Sequence, residues 1–501
     1  MARLPQRALI LQGGGALGAY EVGAFKALYE RLVEEDTESK NNDRPLFDIV
    51  AGASIGAVNA CFLVSYVVNN KQSHPDKSIA DCWKGSDKAL VNFWTGLANQ
   101  TLLDNAPIRL VWDWIWDSAK FYRDGWVQYW RDLTDIFPES VGFRKEWPFI
   151  QWYYSWPDKW GPLATGEGAR RYSSYWNSSL AGINGVLTGG IPQPDYKFLN
   201  AFAPTFFRFD NTPLVNTVKK VWYQNGRPIA TKKGEPRLLL VSVDVQDCSS
   251  AATFDSYEKK KEANTIRRHF TEYGSEDEPK VIEYDGVTTD HLLASMSTNQ
   301  RYEFPSMRSA DGKQTRYFWD GAYLSNTPLR EVIQHHRDYW LKTEGEKEVP
   351  DLEVYIINLY PATERIVPQD ADSIQDREVD IKFHDRTKYD LKVADMVTDY
   401  IDLVEKLREL AESHGLSEQV ENILDEEVER SIKRSGYKRM YRSLIEGRFA
   451  ITRAVHVERE DDSNAIYGKA FDFSEHTIKS LIDLGYRDAL KAYNKEAECN
   501  R

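Results

Sequence analysis

Two short apolar runs near the start of the chain each end in a glycine-rich turn that opens a helical pattern. This arrangement constrains the fold more than any other feature of the sequence. Ala8–Gln12 is the first run; Gly13, Gly14, Gly15 and Gly18 follow, and Leu17, Tyr20, Ala24, Leu28 and Leu32 then share one helical face. Leu46–Gly52 is the second run, continued by the apolar helical stretch Ile55–Val68. Strand–helix–strand–helix order predicts an α/β fold with a mostly parallel sheet. Further buried strands are expected at Arg237–Val245, Thr315–Gly321 and Leu352–Pro361.

The first turn admits two chemistries. Gly13, Gly15 and Gly18 satisfy G-x-G-x-x-G between a strand and a helix, the setting of a dinucleotide-binding turn. Bare backbone N–H groups at a helix start also stabilise the oxyanion formed when an ester is attacked. A dinucleotide site needs an acid at the tip of the second strand. The acids near that distance, Glu34, Glu35, Asp36 and Glu38, stand in a polar stretch before the strand begins, and its tip carries Ser54 instead. Gly52-Ala53-Ser54-Ile55-Gly56 matches G-x-S-x-G, in which a serine on a sharp strand-to-helix turn projects its hydroxyl from the sheet. The glycines two before and two after it must be small because they meet across the turn.

A nucleophilic serine needs a base. None of the histidines stands in a glycine-punctuated loop after a buried strand, and His291 and the pair His335–His336 read as structural residues on helices. A carboxylate does stand at a strand end: Asp320, followed by the small pair Gly321-Ala322.

The three motifs Gly13–Gly18, Gly52–Gly56 and Asp320–Ala322, in that order, resemble the signature of the patatin-like phospholipases. "HLLASMS" (His291–Ser297), "LSNTPL" after the aspartate motif and "VYIINLYPA" beyond extend the resemblance toward bacterial members. It covers about residues 7–70 and 200–361. It implies a three-layer α/β/α fold and a Ser–Asp dyad, with Ser54 as nucleophile and Asp320 as base. It also implies an oxyanion hole from Gly13, Gly14 and Gly15, chiefly the last two, with Ile55 adding its N–H; Gly18, Gly52, Gly56, Gly321 and Ala322 would support the motifs. Such an enzyme cleaves fatty-acyl esters of phospholipids or other lipids and needs no cofactor and no metal. A neutral-lipid lipase, a general carboxylesterase and a non-catalytic lipid-binding protein stay open as alternatives. Leu17 replaces the Arg or Lys frequent in the family's glycine motif, and the segment Thr298–Phe318 lacks the usual apolar, Pro-rich character. These departures leave the dyad unaffected but remove any inference about the substrate.

A free aspartate is a weak base, with an ordinary pKa near ~3.9. The dyad therefore demands that Asp320 be desolvated and within reach of Ser54. Trp319 beside it is one candidate for that desolvation; as a strand neighbour it would otherwise pack on the opposite face.

A net charge of −13 over 501 residues argues against nucleic acid as a partner. The basic run Lys259–His269 reads as a solvated face. Scattered Cys61, Cys82, Cys248 and Cys499 give no metal spacing and fit a reducing compartment. With no secretory leader and no bilayer-length apolar stretch, the expectation is a cytoplasmic protein, at most peripheral at a membrane. Twelve of the 15 tryptophans fall between Trp83 and Trp176. That predicts an aromatic-rich inserted cap over residues 85–199 of a catalytic domain formed by 1–84 and 200–361. Residues 362–501 are expected to be a charged helical region. In it Val393, Met396, Val397, Tyr400, Ile401, Val404, Leu407 and Leu410 mark an amphipathic helix that packs most simply on the catalytic domain.

Overall fold

The computed structural model describes residues 4–98, 166–180, 228–248, 251–257, 284–297, 305–308, 315–346, 348–364, 367–368, 370–428, 440–460 and 465–499, with short segments at 182–183, 187–192, 207–210, 213, 215–216 and 267–268. Most of the tryptophan-rich insertion and most of the basic run Lys259–His269 lie outside the described residues.

The central sheet is built from β1 (Gln6–Leu11), β2 (Ile49–Ala53), β6 (Arg237–Asp244), β7 (Ala252–Asp255), β8 (Arg267–Arg268), β9 (Ser306–Arg308), β10 (Thr315–Asp320), β11 (Leu352–Asn358) and β12 (Ile451–Glu458). The strands β3 (Gly182–Ile183), β4 (Leu187–Pro192) and β5 (Phe207–Asp210) form a separate small antiparallel sheet. The main order is β12-β11-β1-β2-β6-β10-β9, with β7 and β8 branching from β6. The pairs from β12 through β6 are parallel; β10 and β7 run antiparallel to β6. β2, β6 and β11 are buried throughout, as the continuous apolar runs of a sheet covered on both faces require.

The side-chain period of two divides the sheet's residues between two helical layers. On one face Leu9 and Leu11 pack with α1 (Gly18–Glu38), α2 (Ile55–Ser73) and α3 (Ser86–Leu97). On the other, Ala8 and Ile10 meet Leu329 and Val332 of a helix spanning Leu329–Asp338, together with Leu391. This is the expected α/β/α arrangement.

The C-terminal stretch differs from a charged helical region in one important way. Its segment Ile451–Glu458 is β12, which joins the central sheet beside β11, and the last helix, Glu475–Cys499, lies along α1. The crossing is close because Gly23 faces the backbone of Ile482 and Gly485 faces that of Tyr20, and a Cβ at either place would overlap it. The polar residues on one face of β12 (Thr452, His456 and Glu458), with Arg453 on the other, hide its strand character within a charged stretch. The amphipathic helix Thr387–Ser413 is present, but only its first turns are buried, at Thr387 and Leu391. Of its apolar stripe, Met396, Tyr400, Leu407 and Leu410 face outward, while Val393, Val397, Ile401 and Val404 are half-buried.

The acids that fail as a ribose anchor serve the fold. Asp36 grips the fully buried Arg7 of β1 through two bonds of 2.6 and 2.8 Å, and Glu35 pairs with Arg453 of β12 at 2.8 Å.

Candidate active site

Ser54 stands between β2 and α2 with φ 53° and ψ −121°, a left-handed backbone that a serine adopts only under constraint. The constraint is visible in its neighbours. A Cβ on Gly52 would overlap the backbone of Gly56, and one on Gly56 would lie 2.5 Å from the Leu11 carbonyl oxygen. Gly18 leaves room for Ile55 and Trp94, which a Cβ would meet at 2.7 and 2.9 Å. The turn thus places the Ser54 hydroxyl at the start of α2, where the helix dipole favours negative charge.

The Ser54 hydroxyl donates to Asp320 Oδ2 at 2.6 Å. Asp320 ends β10; its other oxygen accepts from the Ala322 N–H at 2.9 Å. The carboxylate is 3% exposed, and no ion pair with it occurs among the described residues. Burial pushes its pKa up from 3.8 to about 6, against the opposing pull of the bonds from Ser54 and Ala322. Gly321 is required because a Cβ there would overlap the Val241 carbonyl of β6. Trp319 is one position out of phase with Asp320 on the strand and lies beside Tyr323, with ring centroids 6.4 Å apart.

Ser54 and Asp320 both hang from one segment. The Ser54 N–H donates to the Ser295 carbonyl and hydroxyl oxygens at 3.1 and 3.2 Å, and the Asp320 N–H to the Ser297 carbonyl at 2.8 Å. Ser295 in turn donates to the Val241 carbonyl at 2.6 Å. The helix Thr289–Met296 therefore fixes the spacing between the Ser54 hydroxyl and the Asp320 carboxylate. Ser295 and Ser297 lie in the "HLLASMS" stretch; sequence reasoning noticed the stretch but assigned neither residue a task.

The glycine turn abuts the serine: a Cβ on Gly13 would come within 2.8 Å of the Ser54 Cβ. Its N–H groups are not equivalent. Gly13 donates to Asn326 Oδ1 at 3.0 Å and to the Asn326 carbonyl at 3.3 Å, so its N–H is already engaged and is not offered to an oxyanion. This corrects the expectation that Gly13 serves the hole. The N–H groups of Gly14, Gly15 and Ile55 carry no hydrogen bond among the described residues. Gly15, at φ 59°, sits against the Ala470 carbonyl of the C-terminal stretch. Behind the turn, Asn59 donates to the Gly18 carbonyl at 3.2 Å and to Glu21 at 2.7 Å, and accepts from the Trp94 indole at 2.7 Å.

The three helical histidines pack away from Ser54 and Asp320. His291 is buried against Phe254, accepts the Thr288 N–H at 2.9 Å, and is pushed down to a pKa of about 3 by burial. His336 bonds the Pro350 carbonyl at 2.7 Å, and His335 faces Asp255 at 3.4 Å. None of them hydrogen-bonds Ser54 or Asp320. Among the described residues, no three His, Cys, Asp or Glu side chains are grouped to hold a metal ion, and no helix is long and apolar enough to cross a membrane.

The sequence model of the patatin-like phospholipases matches residues 9–333, which include the glycine turn, the serine elbow and Asp320. The chain belongs to the patatin-like phospholipase family. Its patatin-like domain ends, by that match, before β11, β12 and the helix along α1, so part of the central sheet is supplied from beyond it. No curated protein matches the chain. The crystal structure of VipD from Legionella pneumophila is similar at 14% identity and a TM-score of 0.30, covering 99% of this chain and 68% of that one; at that score it carries no argument.

Proposed function

We propose that the protein is a serine acyl hydrolase that cleaves fatty-acyl esters of phospholipids or related lipids through an acyl-Ser54 intermediate. One observation carries this reading: the 2.6 Å bond from the Ser54 hydroxyl to a buried Asp320 carboxylate whose pKa is raised to about 6.

The raised pKa answers the weakness of aspartate as a base. Desolvation brings its proton affinity closer to what the reaction needs, and the short bond lets proton transfer accompany attack. Ser54 Oγ attacks the ester carbonyl while its proton passes to Asp320. The negative charge that develops on the carbonyl oxygen is met by the N–H groups of Gly14, Gly15 and Ile55, each such donor worth ~2.7–4 kcal/mol in the transition state. When the tetrahedral intermediate collapses, the C–O bond to the alcohol breaks and the alcohol takes the proton from Asp320. Water then attacks acyl-Ser54 with Asp320 again the base, releasing the fatty acid. The reaction as written uses only groups of this chain, the ester and water. Lipid substrate implies at least transient contact with a lipid surface.

The test is labelling with a fluorophosphonate probe, with the modified residue mapped by mass spectrometry. Labelling at Ser54, absent in Ser54→Ala and much slower in Asp320→Asn, is the expected result. Labelling at another serine, or none with detergent or lipid present, would overturn the reading. Hydrolysis of phospholipid, neutral-lipid and short soluble esters by the wild type then ranks the substrates.

A further inference from the structure

The helix Thr387–Ser413, here α4, leaves one edge of its apolar stripe uncovered, with only Val393 of that edge half-buried. Tyr389, Met396, Leu403 and Leu410 recur every seven residues, and Val393, Tyr400 and Leu407 recur every seven between them. The alternating steps of four and three are those of a coiled-coil seam, sustained over three heptads. Monomeric helices bury such a seam. Here Tyr389, Tyr400, Leu407 and Leu410 are 71, 62, 55 and 56% exposed, and Met396 and Leu403 about half exposed. The helix is nonetheless held in place, by buried Thr387 and Leu391 at its start and by Arg408, which bonds Glu421 of the neighbouring helix Ser417–Leu424 at 3.0 Å on a different face.

We infer that α4 pairs in antiparallel fashion with α4 of a second copy of this chain. The flanking residues select both the occupant and the direction. Lys392, Asp399 and Lys406 run along one side of the seam, and Val397, Val404 and Ala411 along the other, preceded at the first heptad by Asp390, which is paired with Arg330 of its own chain at 2.8 Å. In a parallel pair these two sides face each other, which sets every charge against an apolar side chain. In an antiparallel pair the central positions of each side meet their own kind, and only Asp390, already paired with Arg330, falls opposite Ala411. Placing Tyr400 opposite Leu403 of the copy also sets Val393 opposite Leu410 and Leu407 opposite Met396. In that register Asp399 faces Lys406 of the copy, twice by symmetry, and Val397 faces Val404. The chain is thus complementary to itself in one direction only. A lipid surface fits less well, because Asp395, Asp402, Glu405, Glu409 and Glu412 line the rest of the helix, where a membrane-lying helix carries Lys and Arg.

Light scattering on the full chain across a concentration series tests this. The expected mass is twice 57.8 kDa, and Leu403→Glu, at an exposed position, gives the single-chain mass with unchanged circular dichroism. Asp399→Lys and Lys406→Asp singly set like charges together and weaken the dimer by about tenfold in Kd or more; combined, they restore it to within about threefold. Wild type at the single-chain mass throughout overturns the inference. So does a dimer that ignores Leu403→Glu, or a double variant as dissociated as the singles. Sedimentation with phosphatidylcholine vesicles separates the remaining case: vesicle binding by a single-chain wild type, lost in Leu403→Glu, would make the seam a membrane contact and overturn it too.

Discussion

The Gly13 N–H donates to Asn326 Oδ1 at 3.0 Å, and Asn326 passes a second bond of 2.8 Å from its amide nitrogen to the Phe383 carbonyl. One side chain from the loop after Asp320 thereby fixes the glycine turn at the other end of the domain and ties both to the C-terminal stretch. Asn326→Ala removes the nearer of the two acceptors that hold Gly13 and leaves the backbone carbonyl at 3.3 Å. Losing a buried hydrogen-bond partner costs about 1–3 kcal/mol, which a thermal melt will report. The larger effect is expected on kcat, down about tenfold to a hundredfold with KM little changed, because Gly14 and Gly15 are positioned through Gly13 and matter most in the transition state. A lowered melting temperature with unaltered kcat would show that the clamp serves the fold alone.

Asp320 titrates near 6, and both rate and stability follow from that value. In its proposed role as base it must be ionised, so kcat/KM should fall as pH drops through about 6, with a slope of one. Stability moves the other way. The folded state holds the Asp320 proton up to about 6, whereas the unfolded chain releases it near 3.8. Between these values the native state binds more protons, so raising the pH destabilises it, and the penalty is complete above 6. A shift of roughly two units corresponds to about 3 kcal/mol. Asp320→Asn should therefore be inactive yet melt higher than wild type at pH 8, with the gain disappearing below pH 4. Paired melts at the two pH values check it; equal melting temperatures at pH 8 would mean that the bonds from Ser54 and Ala322 offset the burial.

Legibility in the sequence followed locality. Ser54, Gly52 and Gly56 form one short turn whose geometry is dictated by neighbours in sequence, and the order of β1, α1, β2 and α2 could be read from apolar runs and periodicity. Asp320 could be placed at a strand end, but its distance from Ser54 could not, because that depends on β6 lying between β2 and β10 and on Ser295 and Ser297 bridging the two. The engagement of Gly13 was hidden for the same reason: its partner, Asn326, is remote in sequence. β12 escaped because an edge strand of a parallel sheet, half covered by the last helix, alternates polar and apolar residues and sits in a charged stretch.

Glu21 lies fully buried behind the glycine turn, with Asn59 as its bonded neighbour, and burial holds its carboxyl well above the ordinary 4.5, outweighing the bonds from Asn59 and the Gln12 backbone. A carboxyl kept protonated can be replaced by an amide with little loss. Glu21→Gln should match wild type to within about 1 kcal/mol below pH 4.5, melt higher than wild type near neutral pH, and retain activity. The sign at higher pH is fixed: a raised native pKa means that wild type loses stability as pH rises toward it, while the Gln variant does not. Asn59→Ala is expected to cost about 2–4 kcal/mol, since Glu21 and the Trp94 indole both lose a buried partner. A Glu21→Gln variant as damaged as Asn59→Ala would show that the charged form is needed.

Lys469 carries the contribution of the C-terminal stretch to the site. Its ammonium is buried between Asp380 Oδ1 at 2.6 Å and Asp376 Oδ2 at 3.0 Å, and the next residue, Ala470, presses its carbonyl against Gly15. All three charged residues lie beyond residue 333, where the family match ends. Lys469→Met takes the cation from between two buried carboxylates, a change that typically costs 3–5 kcal/mol. The same variant frees the segment that confines Gly15, so kcat should fall as well. Two further measurements separate these effects. Adding Asp376→Asn and Asp380→Asn to Lys469→Met should recover much of the melting temperature, because the carboxylates no longer repel. If kcat recovers with it, the ion cluster acts on the oxyanion turn only by keeping the segment folded; if kcat stays low in a stable protein, the lysine itself sets the position of Ala470 against Gly15.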